Sequence, residues 1–350
     1  MSTRLRRLSS AFDGQPAWLA MALVLGAVIA VVAISAGNRL NLADVLAATP
    51  LLACARCNGR LTVLAAACAI AFCAIVSVVS SGAGTASVAY RFAIVGGAGI
   101  FAVLASVVRS RREGTLIEIS ERVQRAILRP LPAELGGVAF ASHYQSASRQ
   151  ALIGGDLYDV AVTEFGPRLI IGDVKGKGLD AVGRCATVLA AFREMVSAEP
   201  DLVRLAELMD GQLAQGMEIE DFVTVILAEF GPGEVRLVNC GHHPPVRLAA
   251  GAGQLQVLTA EPAVPPLGLH PRPHRQDVEL KPGDRLLFYT DGLIETRDRA
   301  GRFFALDRRV AAALGEPDLD AAVLRVVRLL LEHAADEFAD DVLLVLATPV

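Results

Sequence analysis

Charge is scarce in this sequence. Asp, Glu, Lys and Arg make up 20% of its 350 residues, aromatic residues 5%, and there is a single tryptophan. The formal net charge is −4 and no basic block interrupts the chain, which excludes a nucleic-acid-binding surface. Cysteine is sparse too. Of six, Cys54, Cys57, Cys68 and Cys73 fall in the apolar N-terminal third and two stand alone, so no disulfide framework exists. Cys54 and Cys57 form a lone CxxC with neither a second pair nor histidines nearby, which argues against a zinc or redox site. A nucleotide loop is also missing. The stretch IIGDVKGKGLDA (170–181) carries three glycines and two lysines, but a Walker loop requires GxxxxGK[ST]; here the spacing is wrong and the hydroxyl is absent. A Rossmann GxGxxG and its βαβ setting are absent as well.

Apolar residues are abundant instead: 53% of the chain, with a mean hydropathy of +0.46. They concentrate in the first 110 residues. Ala17–Gly37, Leu61–Ser81 and the run between Arg91 and Arg109 are each long enough to span a bilayer, which takes roughly 20 apolar residues. Leu42–Ala55 is shorter and carries Asp44. Basic residues favour the cytoplasmic side, and they flank both ends of this region: Arg4, Arg6 and Arg7 before it, the RSRR of 109–112 after it. Both ends on one side require an even number of crossings, so the short segment counts as a fourth. No intramembrane charge pair is evident, which argues against a transporter. The expected organisation is a cytoplasmic N-terminus over 1–16, a transmembrane region of about four helices over 17–110, a helical linker over 111–132 and a cytoplasmic domain over 133–350. The expected location is the cell membrane, multi-pass.

In the linker, Leu116, Ile119, Val123, Ile127 and Leu128 recur at helical spacing up to Pro130 and Pro132. About two heptads could pair two chains into a homodimer or serve as a tether. Beyond Leu135 the pattern changes to short runs rich in β-branched residues: VAFASHY, DLYDVAVT, RLIIGDV, FVTVILAEF, EVRLVNC, QLQVLT, DRLLFYT and VLLVLATPV. Tight turns such as GPG between two of them imply antiparallel hairpins. Helical periodicity is confined to about Leu179–Gln215, broken near Pro200, and Leu306–Glu337. That grouping predicts an α+β fold, and the continuous apolarity of the strands predicts sheets buried on both faces, as in a two-sheet sandwich with helices outside.

Aspartates recur at the strand ends. Asp156 follows two glycines, Asp173 ends LIIGD, Asp291 ends LLFYTD, and Asp340 and Asp341 open DDVLLVL. Each alone reads as a turn residue. Together, converging on one sheet edge, they would suit hard divalent cations, and their number exceeds what one ion needs. Histidine is scarce near them except in NCGHHPP (239–245), which disfavours a zinc hydrolase.

These motifs carry a resemblance. GGDLYD (154–159), GDVKGKGLDA (172–181), FVTVILAEF (222–230), NCGHHPP, LLFYTDGLIET (286–296) and ADDVLLVL (339–346) resemble, in order, those of the PPM (type 2C) metal-dependent serine/threonine phosphatases, in their bacterial SpoIIE-like subgroup. The resemblance covers about Leu131 to Val350. It implies a four-layer αββα sandwich with two Mn²⁺ or Mg²⁺ ions at one edge. It also implies that Asp173 bridges the ions, that Asp156 and the Val174 carbonyl hold the second, and that Asp291 with Asp340 or Asp341 completes the first. The implied reaction is attack of a metal-activated water on phosphoserine or phosphothreonine. The implied substrate is a phosphorylated protein of the STAS-type anti-anti-sigma class, in bacterial signalling. Lys175 stands where other members carry a histidine, so no general acid is assigned, and Arg149, Lys175 and Lys177 are the cations suited to phosphate. The tandem His242-His243 is read as part of a structural turn and Thr224 as packing. The competing reading is a catalytically weak, membrane-bound scaffold; against it, every expected carboxylate position is filled.

Overall fold

The computed structural model describes residues 14–36, 42–79, 85–145, 154–214, 222–251, 253–334 and 340–350; over 36, 42, 113 and 116–126 only the backbone is described. The chain divides into two units, Met1–Leu116 and Ile117–Val350.

The first unit contains α1 (Gln15–Ala36), a 3₁₀ turn (Leu42–Ala47), α2 (Ala48–Cys54), α3 (Gly59–Val79) and the start of α4 (Thr85–Ile127). Three helices are long and apolar enough to cross a membrane: Gln15–Ser35, Gly59–Val79 and Thr85–Arg112. The expected fourth crossing, Leu42–Ala55, does not reach that length; it is a 3₁₀ turn of six residues followed by a seven-residue helix. It nevertheless returns the chain to where α1 begins. The Cys57 thiol donates to the Gln15 carbonyl at 3.5 Å, and the Arg56 guanidinium lies 5.6 Å from the Trp18 ring centre. Arg109 of α4 donates to the carbonyls of Cys54 and Cys57, the latter at 2.7 Å. The start of α1, the turn after α2 and the Arg109 end of the third span therefore share one end of this unit. Arg91, read from the sequence as a flank, lies within α4 and is buried.

The linker helix is the later part of α4 and ends at Ile127, ahead of Pro130 as its spacing predicts. The side chains of Leu116, Ile119 and Val123, on which pairing would rest, lie outside the described residues. Leu128 is buried among core residues of the second unit.

The second unit is two antiparallel sheets with helices outside. One sheet has the order β1-β2-β11-β10-β7-β8, with β1 Glu134–Leu135, β2 Val138–Gln145, β7 Val246–Leu248, β8 Leu255–Val257, β10 Arg285–Tyr289 and β11 Val342–Pro349. The other has the order β3-β4-β5-β6-β9, with β3 Asp156–Thr163, β4 Gly166–Val174, β5 Val223–Gly231, β6 Glu234–Cys240 and β9 Arg275–Glu279. Alternation along the strands explains their unbroken apolarity. Leu286 and Phe288 of β10, with Leu343, Val345 and Ala347 of β11, face the core shared by both sheets. Leu287 and Tyr289, with Val342, Leu344 and Leu346, face a second core under the helices α7 (Arg308–Leu314) and α8 (Leu319–His333). On the far side α5 (Leu179–Met195) and α6 (Leu202–Leu213) cover the second sheet. Both faces of each sheet are buried, so the period-two signal of a half-exposed strand is absent. This is the αββα sandwich that the sequence predicts. Its edge strand β9 (RQDVE) alternates between exposed and half-buried and has almost no apolar residue, which is why the sequence pattern does not show it.

Candidate metal centre

Antiparallel pairing brings four strand ends to one edge. β3 begins at Asp156 where β4 ends at Asp173 and Val174, and the two aspartates are directly opposite in register. In the facing sheet β10 ends at Tyr289 where β11 begins, and Asp291 follows the one as Asp340 and Asp341 precede the other. All five predicted carboxylates and the Val174 carbonyl are thus brought to the same edge.

The turn after Asp173 needs its glycines. Gly178, the N-cap of α5, has φ 86°, a left-handed conformation that a side chain would strain. A Cβ on Gly155 would overlap the Val174 carbonyl oxygen and stand 2.8 Å from an Asp173 carboxylate oxygen. Glycine here therefore keeps open a cradle whose other walls are oxygen atoms. Arg184 of α5 donates to the Lys175 carbonyl at 3.1 Å and fixes the loop from behind.

The aspartates are held in different ways. Asp156 is 2% exposed and accepts a hydrogen bond from Thr290 Oγ1 at 2.9 Å, which ties the two sheets together. Asp341 is also buried; one of its oxygens accepts from the Gly154 amide at 2.7 Å and from the Tyr144 hydroxyl. Asp340 is half exposed and its carboxylate lies 2.9 Å from Lys177 Nζ. Behind Asp173 the Thr224 hydroxyl donates to the Asp173 backbone carbonyl at 3.3 Å, and Thr224 Oγ1 lies 3.1 Å from His242 Nδ1. His242 is buried, with Nε2 lacking a partner among the described residues. The Asn239 side chain closes the turn, accepting from the His242 amide at 2.8 Å and donating to its carbonyl at 2.9 Å. The tandem histidines do build a turn, as read from the sequence, but Thr224 does more than pack. Thr224, His242, Thr290 and Tyr144 were not legible as site residues. Thr290 directly precedes Asp291, a polar residue at a strand end that could have been noticed; Tyr144 and Asp341 are too far apart in sequence for any local signal.

The charges oppose one another. Burial, then the neighbouring Asp173, pushes Asp156 well above the ordinary carboxylate range. Burial, then Asp291, Asp340 and Asp341, pushes Asp173 up to about 7, against a smaller opposing pull from Lys177. Burial and Asp340 raise Asp291. Burial lowers Lys177, but the hydrogen bond and charge of Asp340 outweigh it and the ammonium ends above its usual value. Desolvation and like charge act together here, opposed by Lys177 at Asp173 and by His243 at Asp291. An all-oxygen donor set of this kind fits a hard divalent cation. Among the described residues no three His, Cys, Asp or Glu side chains are already placed to hold an ion together, so the carboxylates share an edge without forming a ready-made ligand set. Arg149 lies outside the described residues; Lys175 is exposed, its ammonium 5.5 Å from the Phe222 ring centre.

Comparison with known proteins agrees with this architecture. Residues 164–349 match the family described as Stage II sporulation protein E (SpoIIE). Among solved structures, the SiaA PP2C domain of Pseudomonas aeruginosa superposes with a TM-score of 0.59 at 20% identity, covering 69% of this chain and 98% of that one. The RsbU and RsbW domains of a Mycobacterium tuberculosis protein give 0.53 at 26% identity, with 61% of this chain and 60% of that chain covered. An S. agalactiae serine/threonine phosphatase gives 0.51 at 12% identity, over 61% and 100%.

Proposed function

The chain belongs to the SpoIIE family of PP2C-type phosphatases, and from that premise we propose that it is a membrane-anchored, metal-dependent protein serine/threonine phosphatase. The observation that carries the metal reading is the convergence of Asp156, Asp173, Asp291 and Asp340 on one edge, where burial and mutual repulsion raise Asp156, Asp173 and Asp291 above the ordinary carboxylate range. We assign Asp156, Asp173, the Val174 carbonyl, Asp291 and Asp340 to hold two Mn²⁺ or Mg²⁺ ions. Asp341 is the anchor of the edge, because its buried carboxylate is already engaged by Gly154 and Tyr144.

Bound divalent ions supply charge neutralisation and an activated water for in-line displacement at a phosphoserine or phosphothreonine phosphorus. The protein supplies position and field. Thr290 aims Asp156 into the gap between the sheets, and Thr224 holds the backbone at Asp173. Lys177 is the ammonium nearest the edge, placed to attract a phosphate dianion when Asp340 turns to a metal. The likeness to the RsbU and SiaA domains supports a phosphoprotein substrate in partner-switching signalling, and we extend this to a STAS-type protein. The three apolar helices support the membrane anchor, with the phosphatase domain on the cytoplasmic side and the linker as the tether or pairing helix.

The test uses the full chain in detergent, assayed on a phosphoserine protein with Mn²⁺, with chelator, and as Asp173→Asn. Turnover that needs the metal and is lost in the variant is expected. Turnover indifferent to chelator, or unchanged in Asp173→Asn, would overturn the metal assignment; metal-independent binding without turnover on several phosphoproteins would favour a scaffold.

A further inference from the structure

We propose that the first unit holds one anionic glycerophospholipid in a groove between α3 and α4, its phosphate on Arg60 and Arg111 and an acyl chain along Ala66, Gly96 and Ile100. The groove has two connected parts. At the end shared with Arg109, a cavity of about 570 Å³ is lined by Asn58, Arg60, Ser110 and Arg111 among others. Val63 and Val103 line both this cavity and a second one of about 350 Å³, which continues between the same helices along Ala66, Ala67, Gly96, Gly99 and Ile100. Two glycines mark close approaches between the helices. A Cβ on Gly99 would come within 3.1 Å of the Ala66 Cβ, and one on Gly59 within 3.0 Å of Val107. A Cβ on Gly96 would meet nothing within 4 Å, so the trough beside the contact is open.

The chemistry of the two ends selects the occupant. Arg60 and Arg111 are exposed, and no side chain or carbonyl among the described residues engages either guanidinium. Two such groups, with the polar Asn58 and Ser110 beside them, complement a phosphodiester, for which the planar fork of arginine is well suited. The adjoining trough offers only apolar atoms and small residues, which suits a hydrocarbon chain. A free anion would leave the trough unused. A transmembrane helix of a second copy would fill the trough but offer no anion to the two guanidinium groups at its end. An amphipathic molecule with an anionic head fits both parts, and basic pockets between membrane helices bind such head groups.

This inference rests on the membrane reading above, and its test separates the two. The full chain is extracted from bilayers of phosphatidylglycerol and phosphatidylcholine in equal amounts, and the retained lipid is identified by native mass spectrometry. Stoichiometric phosphatidylglycerol, in preference to phosphatidylcholine, is expected. The double variant Arg60→Gln/Arg111→Gln should lower its affinity by roughly tenfold or more. Gly96→Leu, which fills the trough from a position where a Cβ meets nothing within 4 Å, should lower it as well. Arg112→Gln, on the same helix but outside the cavity, should leave it unchanged. Glycerol 3-phosphate should not displace the lipid. Equal retention of both lipids, indifference to the double variant, displacement by glycerol 3-phosphate, or Gly96→Leu abolishing a lipid-free dimer would each overturn the lipid site while the chain still fractionates with membranes. A chain that leaves membranes without detergent would overturn the membrane reading and the lipid site with it.

Discussion

Asp156 and Asp173 sit directly opposite each other on neighbouring antiparallel strands, so their carboxylates leave the same face of the sheet. A like-charged pair in that register destabilises the sheet, and here burial adds to the repulsion. The fold therefore carries an electrostatic strain that a bound cation would relieve.

That strain sets the first expectation. In chelated protein Asp173→Asn should raise the stability of the phosphatase domain by about 0.2–1 kcal/mol, the cost of a like-charged cross-strand pair. For a domain of this size the melting temperature should rise by roughly 1–4 °C. Turnover should fall by more than about 100-fold, the upper cost of losing a residue that merely supports a metal ligand. The effect should depend on pH. Asp173 titrates near 7 in the fold, so between about 4 and 7 the folded state binds the extra proton, and the chelated wild type loses stability as pH rises through that window. The difference between wild type and Asp173→Asn should widen over the same range and close when Mn²⁺ is added. A chelated wild type at least as stable as the variant at pH 7.5 would count against the pairing.

Lys177 provides the second. Its ammonium is half exposed, so its ion pair with Asp340 contributes little to stability. Its position at the rim matters for attraction of an anion. Lys177→Met should raise KM for a phosphoprotein up to about tenfold at low salt, with kcat within about twofold, and the difference should shrink as ionic strength rises. A fall in kcat with KM unchanged would instead give Lys177 a role at the reacting atoms.

The sequence made the architecture and the carboxylates readable because both are written locally. Each carboxylate lies at the end of an apolar run, and in antiparallel sheets such ends collect at one edge. The supporting residues were not readable, because their partners come from other strands. Thr224 looks like any β-branched residue of β5 until β4 and the 239–243 turn are packed on either side of it. The choice between Asp340 and Asp341 depends on Tyr144, 197 residues from Asp341 in the chain. The segment Leu42–Ala55, which hydropathy and parity favour as a fourth crossing, is shorter than the other three, with helical elements that stop at Cys54, yet it brings Cys57 back beside Gln15.

The third expectation concerns the corner between α5 and α6. Arg168 is 0% exposed and donates to Glu229 at 2.7 Å, to the carbonyls of Val196 and Pro200 at 2.9 and 2.7 Å, and to the Glu199 carbonyl. It holds the loop that ends α5, the helix that starts just after Asp173 and its glycine turn. Arg168→Ala removes one partner of a buried pair and should destabilise the domain by about 3 kcal/mol, at the low end for such pairs because Arg236 still contacts Glu229 at 2.5 Å. Chemical denaturation would measure this. The double variant Arg168→Met/Glu229→Leu should recover much of the loss, since an apolar pair of similar volume carries no unpaired charge. A double variant no more stable than Arg168→Ala would show that the carbonyl contacts, and not the charge pair, dominate.

The last expectation follows from the path His242–Thr224–Asp173. Burial, then the neighbouring His243, pulls His242 down to about 3, so its ring is neutral at any working pH. A neutral ring protonated on Nδ1 donates to Thr224, and the Thr224 hydroxyl then donates to the Asp173 carbonyl. Thr224→Val keeps the shape and removes both bonds. It should cost about 1–3 kcal/mol, because a buried donor and a carbonyl lose their partner. It should also weaken Mn²⁺ binding by roughly 10–100-fold, as loss of support behind a ligand does. The pH dependence isolates the histidine. Below about 6.5 the unfolded chain takes up a proton on His242 that the folded chain refuses until about pH 3, so the fold loses stability as pH falls through that interval. The slope from this group approaches about 1.4 kcal/mol per pH unit. His242→Gln should flatten the acid limb of the stability curve by that amount while Asp173→Asn leaves that contribution in place. If His242→Gln left the acid limb unchanged, the imidazole would be titrating normally and the path to Asp173 would not be formed.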